Sequence, residues 1–257
     1  MAAKNANTTA TATASGLHIN FFHGDKGGVG KSFLCKSWID YLLSRNIQVT
    51  PIDCDTRNPD IDRLFSPYTD VKMVDLNEED GWSALFDFIA KAQGNIAISL
   101  PAGIGNKTDM YGDVFMDAVS QIGAKVTTWW VLGNNYDSVN LLQDAMNKKS
   151  PLAQNAIAVR NEFFGEDFLL WQDSPTRAEF IKNGGQEVAF PVLIPRVKDV
   201  VDRAGVPFSH AATQEVAGIN LFTRLSLYKW VSSVHTAFDG LKVPLIQMKN
   251  QPEAVEA

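Results

Sequence analysis

The sequence predicts an α/β fold, a mainly parallel twisted sheet with helices on both faces. Three observations carry this. Apolar, strand-like runs alternate with segments of helical spacing; a glycine-rich turn joins the first run to the first helix; and no repeat or proline-rich linker divides the 257 residues. Strands interleaved with helices imply right-handed crossovers, which place ligands at the carboxyl ends of the strands. A net charge of −6, with 45% apolar and 20% charged residues, is ordinary for a globular chain. No apolar run is long enough to span a bilayer. So acidic a molecule does not read as a polyanion binder, and any contact with DNA needs a local basic patch.

Taken in order, residues 1–16 read as a disordered tail, rich in Ala, Thr and Asn and without the apolar core of a secretory signal. Residues 17–245 form the folded unit, and residues 246–257 a frayed, polar tail. The strands are expected at Leu17–Phe22, Ile47–Asp53, Val71–Leu76, Ile96–Leu100, Lys125–Leu132, Ala156–Arg160 and Glu187–Ile194. A long helix is expected from Thr213 to Phe238, with Ile219, Phe222, Leu225, Leu227, Trp230, Val231 and Val234 on its apolar face. In Trp129-Trp130 the alternation of a strand sends one indole to each face, each into a core. Cys35 and Cys54 form no CxxC pair and read as buried free thiols of a reducing cytoplasm. The four histidines show no metal-ligand spacing.

Between the first strand and first helix lies His23-Gly24-Asp25-Lys26-Gly27-Gly28-Val29-Gly30-Lys31-Ser32. A glycine-rich turn of this kind aims backbone N–H groups at phosphates. Lys31 is placed to reach the terminal phosphates, and the Ser32 hydroxyl to ligate Mg²⁺. Gly27, Gly28, Val29, Gly30 and Phe33 complete the expected phosphate contacts. Asp25 stands at the position of the first glycine of the strict G-x-x-x-x-G-K-[ST] pattern. Lys26 has no part in that minimal kit.

With Lys26 at this spacing, the loop resembles the deviant Walker A motif, KGGxGK[ST], of the ParA/MinD family of P-loop ATPases. The resemblance implies ATP and Mg²⁺ as cofactors, and an ATP-bound homodimer in which Lys26 reaches the partner's nucleotide. It also implies slow hydrolysis that resets the switch. Further segments join it. Asp53-Cys54-Asp55 resembles the D-x-D of switch I, where Asp55 matches the carboxylate that orients water and Asp53 lies near Mg²⁺. Taken alone, such a pair reads as an acidic turn. Ser99-Leu100-Pro101-Ala102-Gly103 resembles the family's D-x-P-A-G, with Ser99 in place of the aspartate and the Gly103 N–H available to a γ-phosphate. This departure bears on hydrolysis more than on binding.

Asn161 resembles the strand-end asparagine that reads adenine, and Ile194-Pro195 begins the family's stretch that packs on the base. The cluster cysteines of the iron–sulfur relatives are missing. Arg196, Lys198, Arg203, Arg224 and Lys229 read equally as a patch for non-specific DNA or as solvated helix faces. The resemblance further implies plasmid or chromosome partition or cargo positioning, with a DNA-binding adaptor as partner and a cytoplasmic location, nucleoid-associated where DNA is bound. The alternatives are an accessory ATPase of plasmid transfer, an ATPase of flagellar or chemoreceptor placement, and a nucleotide-binding module with little turnover. The polar C-terminal end does not resemble the membrane anchor of MinD proteins.

Overall fold

The computed structural model describes residues 16–247 except residues 25, 26 and 102. Seven strands form one all-parallel sheet in the order β3-β2-β4-β1-β5-β6-β7. They are β1 (Leu17–His23), β2 (Val49–Asp53), β3 (Lys72–Met73), β4 (Gly94–Ser99), β5 (Lys125–Leu132), β6 (Ala156–Asn161) and β7 (Gln186–Phe190). Every expected strand has a counterpart, but of the expected Val71–Leu76 only Lys72–Met73 pairs as a strand. β7 stops well short of Ile194 because Pro191 follows Phe190, and proline has no N–H to give to a ladder. β1 lies at the centre, buried along its whole length. Its neighbours are β4 and β5; the chain runs from β1 to β2, beyond β4, and later from β4 across β1 to β5, so the β1 turn sits where a doubly wound sheet opens its ligand crevice.

One face carries α1 (Lys31–Ser44), α2 (Asp60–Phe65), α8 (Pro195–Ala204), α9 (Phe208–Thr213) and α10 (Leu221–Asp239). The other carries α3 (Glu79–Ile89), α4 (Gly105–Ile122), α5 (Tyr136–Asn147), α6 (Leu169–Gln172) and α7 (Pro175–Lys182). Side chains of β1 and β5 feed the two cores alternately. Trp129 enters the α1 side, 4.7 Å from the ring of Trp38, while Trp130 enters the α4 side. The Trp129 Nε1–H donates to Asn20 Oδ1 at 3.0 Å, so the indole is buried with its polar end paired.

The expected Thr213–Phe238 helix is two elements. α9 ends at Thr213, a turn follows, and α10 starts at Leu221, where the Asn220 side chain accepts the Thr223 N–H at 2.9 Å. Leu227, Trp230, Val231, Val234 and Phe238 are buried, but Phe222 and Leu225 are exposed. At 3.6 residues per turn those two fall on the side of α10 opposite Leu227. Both cysteines are buried free thiols, as expected.

Candidate functional site

The turn after β1 is shaped by two glycines. Gly28 has φ 78° and Gly30 has φ 100°, a region that residues with a Cβ rarely adopt. A Cβ on Gly30 would lie 2.5 Å from Asn161 Nδ2, so the position excludes a side chain on steric grounds too. Between them Val29 is buried in the α1-side core and anchors the turn. Gly30 is the residue before α1, and no side chain caps it. The first-turn N–H groups of Lys31, Ser32 and Phe33, which have no partner within the helix, are therefore left for an anion. Lys31 is buried and its Nζ donates to the Gly24 carbonyl at 2.8 Å. Burial, and then the charge of Lys31, push the His23 imidazole down to a pKa of about 3. Asp25 and Lys26 lie outside the described residues, and with them the reach of Lys26 towards a second subunit.

Register brings the next residues together. Ser99 of β4 pairs with Phe22 of β1 on one side and with Asp53 of β2 on the other. The Ser99 and Ser32 hydroxyl oxygens are 3.5 Å apart, so the serine at the expected aspartate position faces the loop serine directly. Asp53 is spent differently from the expectation. Its Oδ1 accepts the Asp55 N–H at 3.1 Å, and its Oδ2 accepts those of Ile61 at 2.9 Å and Asp62 at 3.2 Å. This buried carboxylate holds the first turn of α2, which lacks a cap from its own preceding residue, Pro59. Burial raises its pKa, and the three N–H groups oppose that rise. Asp55, by contrast, is half-buried and accepts only the Asn58 N–H, at 3.1 Å, among the described residues.

Asn161 ends β6 against the loop rather than in open space. Its Nδ2 donates to the Val29 carbonyl at 2.8 Å, and its Oδ1 accepts the Phe163 N–H at 3.2 Å. In this arrangement its amide ties β6 to the glycine turn. Gly103, with φ 72°, lies exposed beyond the end of β4, and Pro195 is the exposed first residue of α8. Phe33 turns inward, packing on Phe190, Phe208 and Trp230. Of the late basic residues, Lys198 pairs with Asp202 at 2.5 Å, and Arg203 Nε donates to the Asp199 carbonyl at 3.1 Å.

Two charged residues of α1 escape a reading of the sequence. Asp40 is buried and accepts both the N–H and the hydroxyl of Ser209, the latter at 2.6 Å. Lys36 is only 9% exposed. The available signal was a charge inside an otherwise apolar helical run, Leu34 to Leu43.

No family model matches the chain. Among solved structures it is similar to the MinD cell division protein of Aquifex aeolicus, with a TM-score of 0.47 and 15% identity over 90% of this chain and 99% of that one. It is also similar to a nucleotide-binding protein from Archaeoglobus fulgidus in complex with ADP, with a TM-score of 0.45 and 15% identity over 84% and 89% of the two chains. In sequence it is 31% identical over 226 residues to Protein MobD of Acidithiobacillus ferrooxidans, a match that covers 87% of this chain and 97% of that protein. Identity at this level along nearly the whole of the relative shows that the chain belongs to the MobD family.

Proposed function

We propose that the chain is a ParA/MinD-type ATPase that binds Mg·ATP at the β1–α1 turn, dimerises in that state and hydrolyses ATP slowly. The observation that carries the reading is the turn itself: positive φ at Gly28 and Gly30, a helix start without a side-chain cap, and Lys31 folded back on Gly24. Phosphate oxygens fit this cradle because the N–H groups and the lysine already converge on it. Lys31 exchanges the Gly24 carbonyl for the terminal phosphates. Asp55, free of strong internal ties, orients the attacking water, which suits a reaction that depends on positioning more than on a strong base. Lys26 supplies charge to the partner subunit's nucleotide.

For Mg²⁺ the fitting donor is the Ser32 hydroxyl, with Ser99 beside it to hold a metal-bound water. Both Asp53 oxygens are engaged by backbone N–H groups, and among the described residues no group of three carboxylate, imidazole or thiol side chains converges. These residues would leave Mg²⁺ to be held mainly by the nucleotide's phosphate oxygens and water, with Ser32 as the protein's donor. When bound it neutralises phosphate charge. A hydroxyl in place of an aspartate weakens the hold on that ion, which is why slow turnover is part of the proposal.

Membership of the MobD family favours plasmid mobilisation as the process served, ahead of partition or of flagellar placement. The partner is then a protein of the DNA-transfer machinery. Phosphate release and nucleotide binding test the reading together. We expect turnover that requires Mg²⁺, lost in Lys31→Ala and Asp55→Ala, and ATP-dependent dimerisation in sedimentation, lost in Lys26→Ala. Wild-type protein that neither binds ATP nor dimerises with it would end the proposal.

A further inference from the structure

The face bearing α1 holds a cavity of about 320 Å³ between the first turns of α1, helix α2 and the α8–α9 corner. Its walls include Phe33, Leu64 and Phe208, and three cations line it: Lys36, Arg63 and Lys198. Two are already matched, Arg63 by Asp60 at 3.3 Å and Lys198 by Asp202 at 2.5 Å. Lys36 is different. More than nine-tenths of the residue is buried, and among the described residues its ammonium has no hydrogen bond or ion pair. Asp40, one turn on, is committed to Ser209.

The Lys36 stem is held in the wall while its ammonium, without a counter-charge, opens into the cavity, and such a charge is strengthened most by an anion that shares its partly desolvated setting. We infer that this cavity binds a small organic anion, a phosphate or carboxylate on an apolar body, with Lys36 as its counter-charge. The volume agrees, since small-molecule sites have a few hundred Å³, and the walls divide between apolar side chains and charged ones, with Asp60 and Asp202 already taken by Arg63 and Lys198. A partly open pocket of this size takes a small molecule. The site is separate from the phosphate turn, yet Ser32 and Phe33 contribute to its wall. Its far wall is α2, which hangs on Asp53. The anion is thus placed to bias the nucleotide site, and any coupling acts equally in both directions.

Titration calorimetry on the full chain with phenyl phosphate and, separately, benzoate tests this, with and without saturating ADP and Mg²⁺. One equivalent of at least one probe is expected to bind in either condition. Lys36→Met should weaken binding at least tenfold, about 1.4 kcal/mol, and Lys36→Arg should restore it to within about threefold of wild type. Val206→Phe fills the cavity and leaves the lysine in place, so it should block binding even if Lys36→Met fails to fold. The inference is overturned if neither probe binds, if ADP displaces the probe and so marks the phosphate turn as its seat, or if Val206→Phe binds as wild type does. Because the assay reads the cavity without nucleotide as well, it stands or falls apart from the ATPase reading.

Discussion

Replacing Gly30 with alanine tests the local design of the phosphate turn. Two costs arise. The residue must hold φ 100°, and a left-handed conformation costs a residue with a Cβ about 1–2 kcal/mol. The new Cβ also meets Asn161 Nδ2 at 2.5 Å. Asn161 can yield only by giving up its 2.8 Å bond to the Val29 carbonyl in a buried setting, a further loss of about 1–3 kcal/mol. Gly30→Ala should therefore destabilise the chain by about 2–5 kcal/mol, and Asn161→Ala by about 1–3 kcal/mol. In the double variant the amide is gone and so is the collision, leaving only the conformational cost on top of Asn161→Ala. The two single effects should then exceed the double effect by about 1–3 kcal/mol, in the range expected for touching residues. Urea unfolding with m-values compared across the four proteins measures this. Additivity within about 0.5 kcal/mol would refute the reasoning, because the steric link between the turn and β6 would then carry no energy.

Further outcomes follow from the same contacts. Burial raises Asp40 to a pKa of about 6 from an ordinary 3.8, so the folded chain holds this proton more tightly than the unfolded chain. That contribution is complete below about pH 3.8 and is lost as pH rises through about 6, a change of about 3 kcal/mol. Asp40→Asn should remove this part of the pH dependence, seen as a wild-type-minus-variant difference in unfolding free energy that changes between pH 4 and 7. His23 has the opposite sign. With its pKa lowered from 6.5 to about 3, stability is lost as pH falls below 6.5. Its Nδ1 is buried without a partner among the described residues, while its ring packs edge-on to Trp130 at 4.6 Å. His23→Phe should thus be neutral or stabilising at pH 7 and gain several kcal/mol over wild type near pH 4, as thermal melts at the two pH values would show. Ser99→Asp places a carboxylate beside Ser32 Oγ and should speed Mg²⁺-dependent phosphate release on the order of tenfold, about 1.4 kcal/mol in the barrier. In the nucleotide-free protein it should lower the melting temperature, because that position is 2% exposed.

What the chain's sequence determined by itself is everything that depends on local order. The alternation of apolar runs with helical spacing specified seven parallel strands, because burial on both faces demands continuous apolar strands and crossovers demand helices between them. The spacing of Gly28, Gly30, Lys31 and Ser32 specified the turn, since positive φ and a helix start are properties of neighbouring residues. The indoles of Trp129 and Trp130 separated as alternation required. Tertiary structure alone decided which polar groups remain available. Asp53 and Asp55 are equivalent on paper, yet α2 folds back so that its N–H groups take one Asp53 oxygen while the Asp55 N–H takes the other, and Asp55 is left half-open. Asn161 turns to the Val29 carbonyl, a partner far away in sequence. Lys36 and Asp40 sit one turn apart on one helix, but contacts from α9 neutralise the need of one and leave the other facing a cavity. A hydrogen bond or a counter-charge is supplied by whichever backbone arrives from elsewhere in the fold, and no local pattern encodes that arrival.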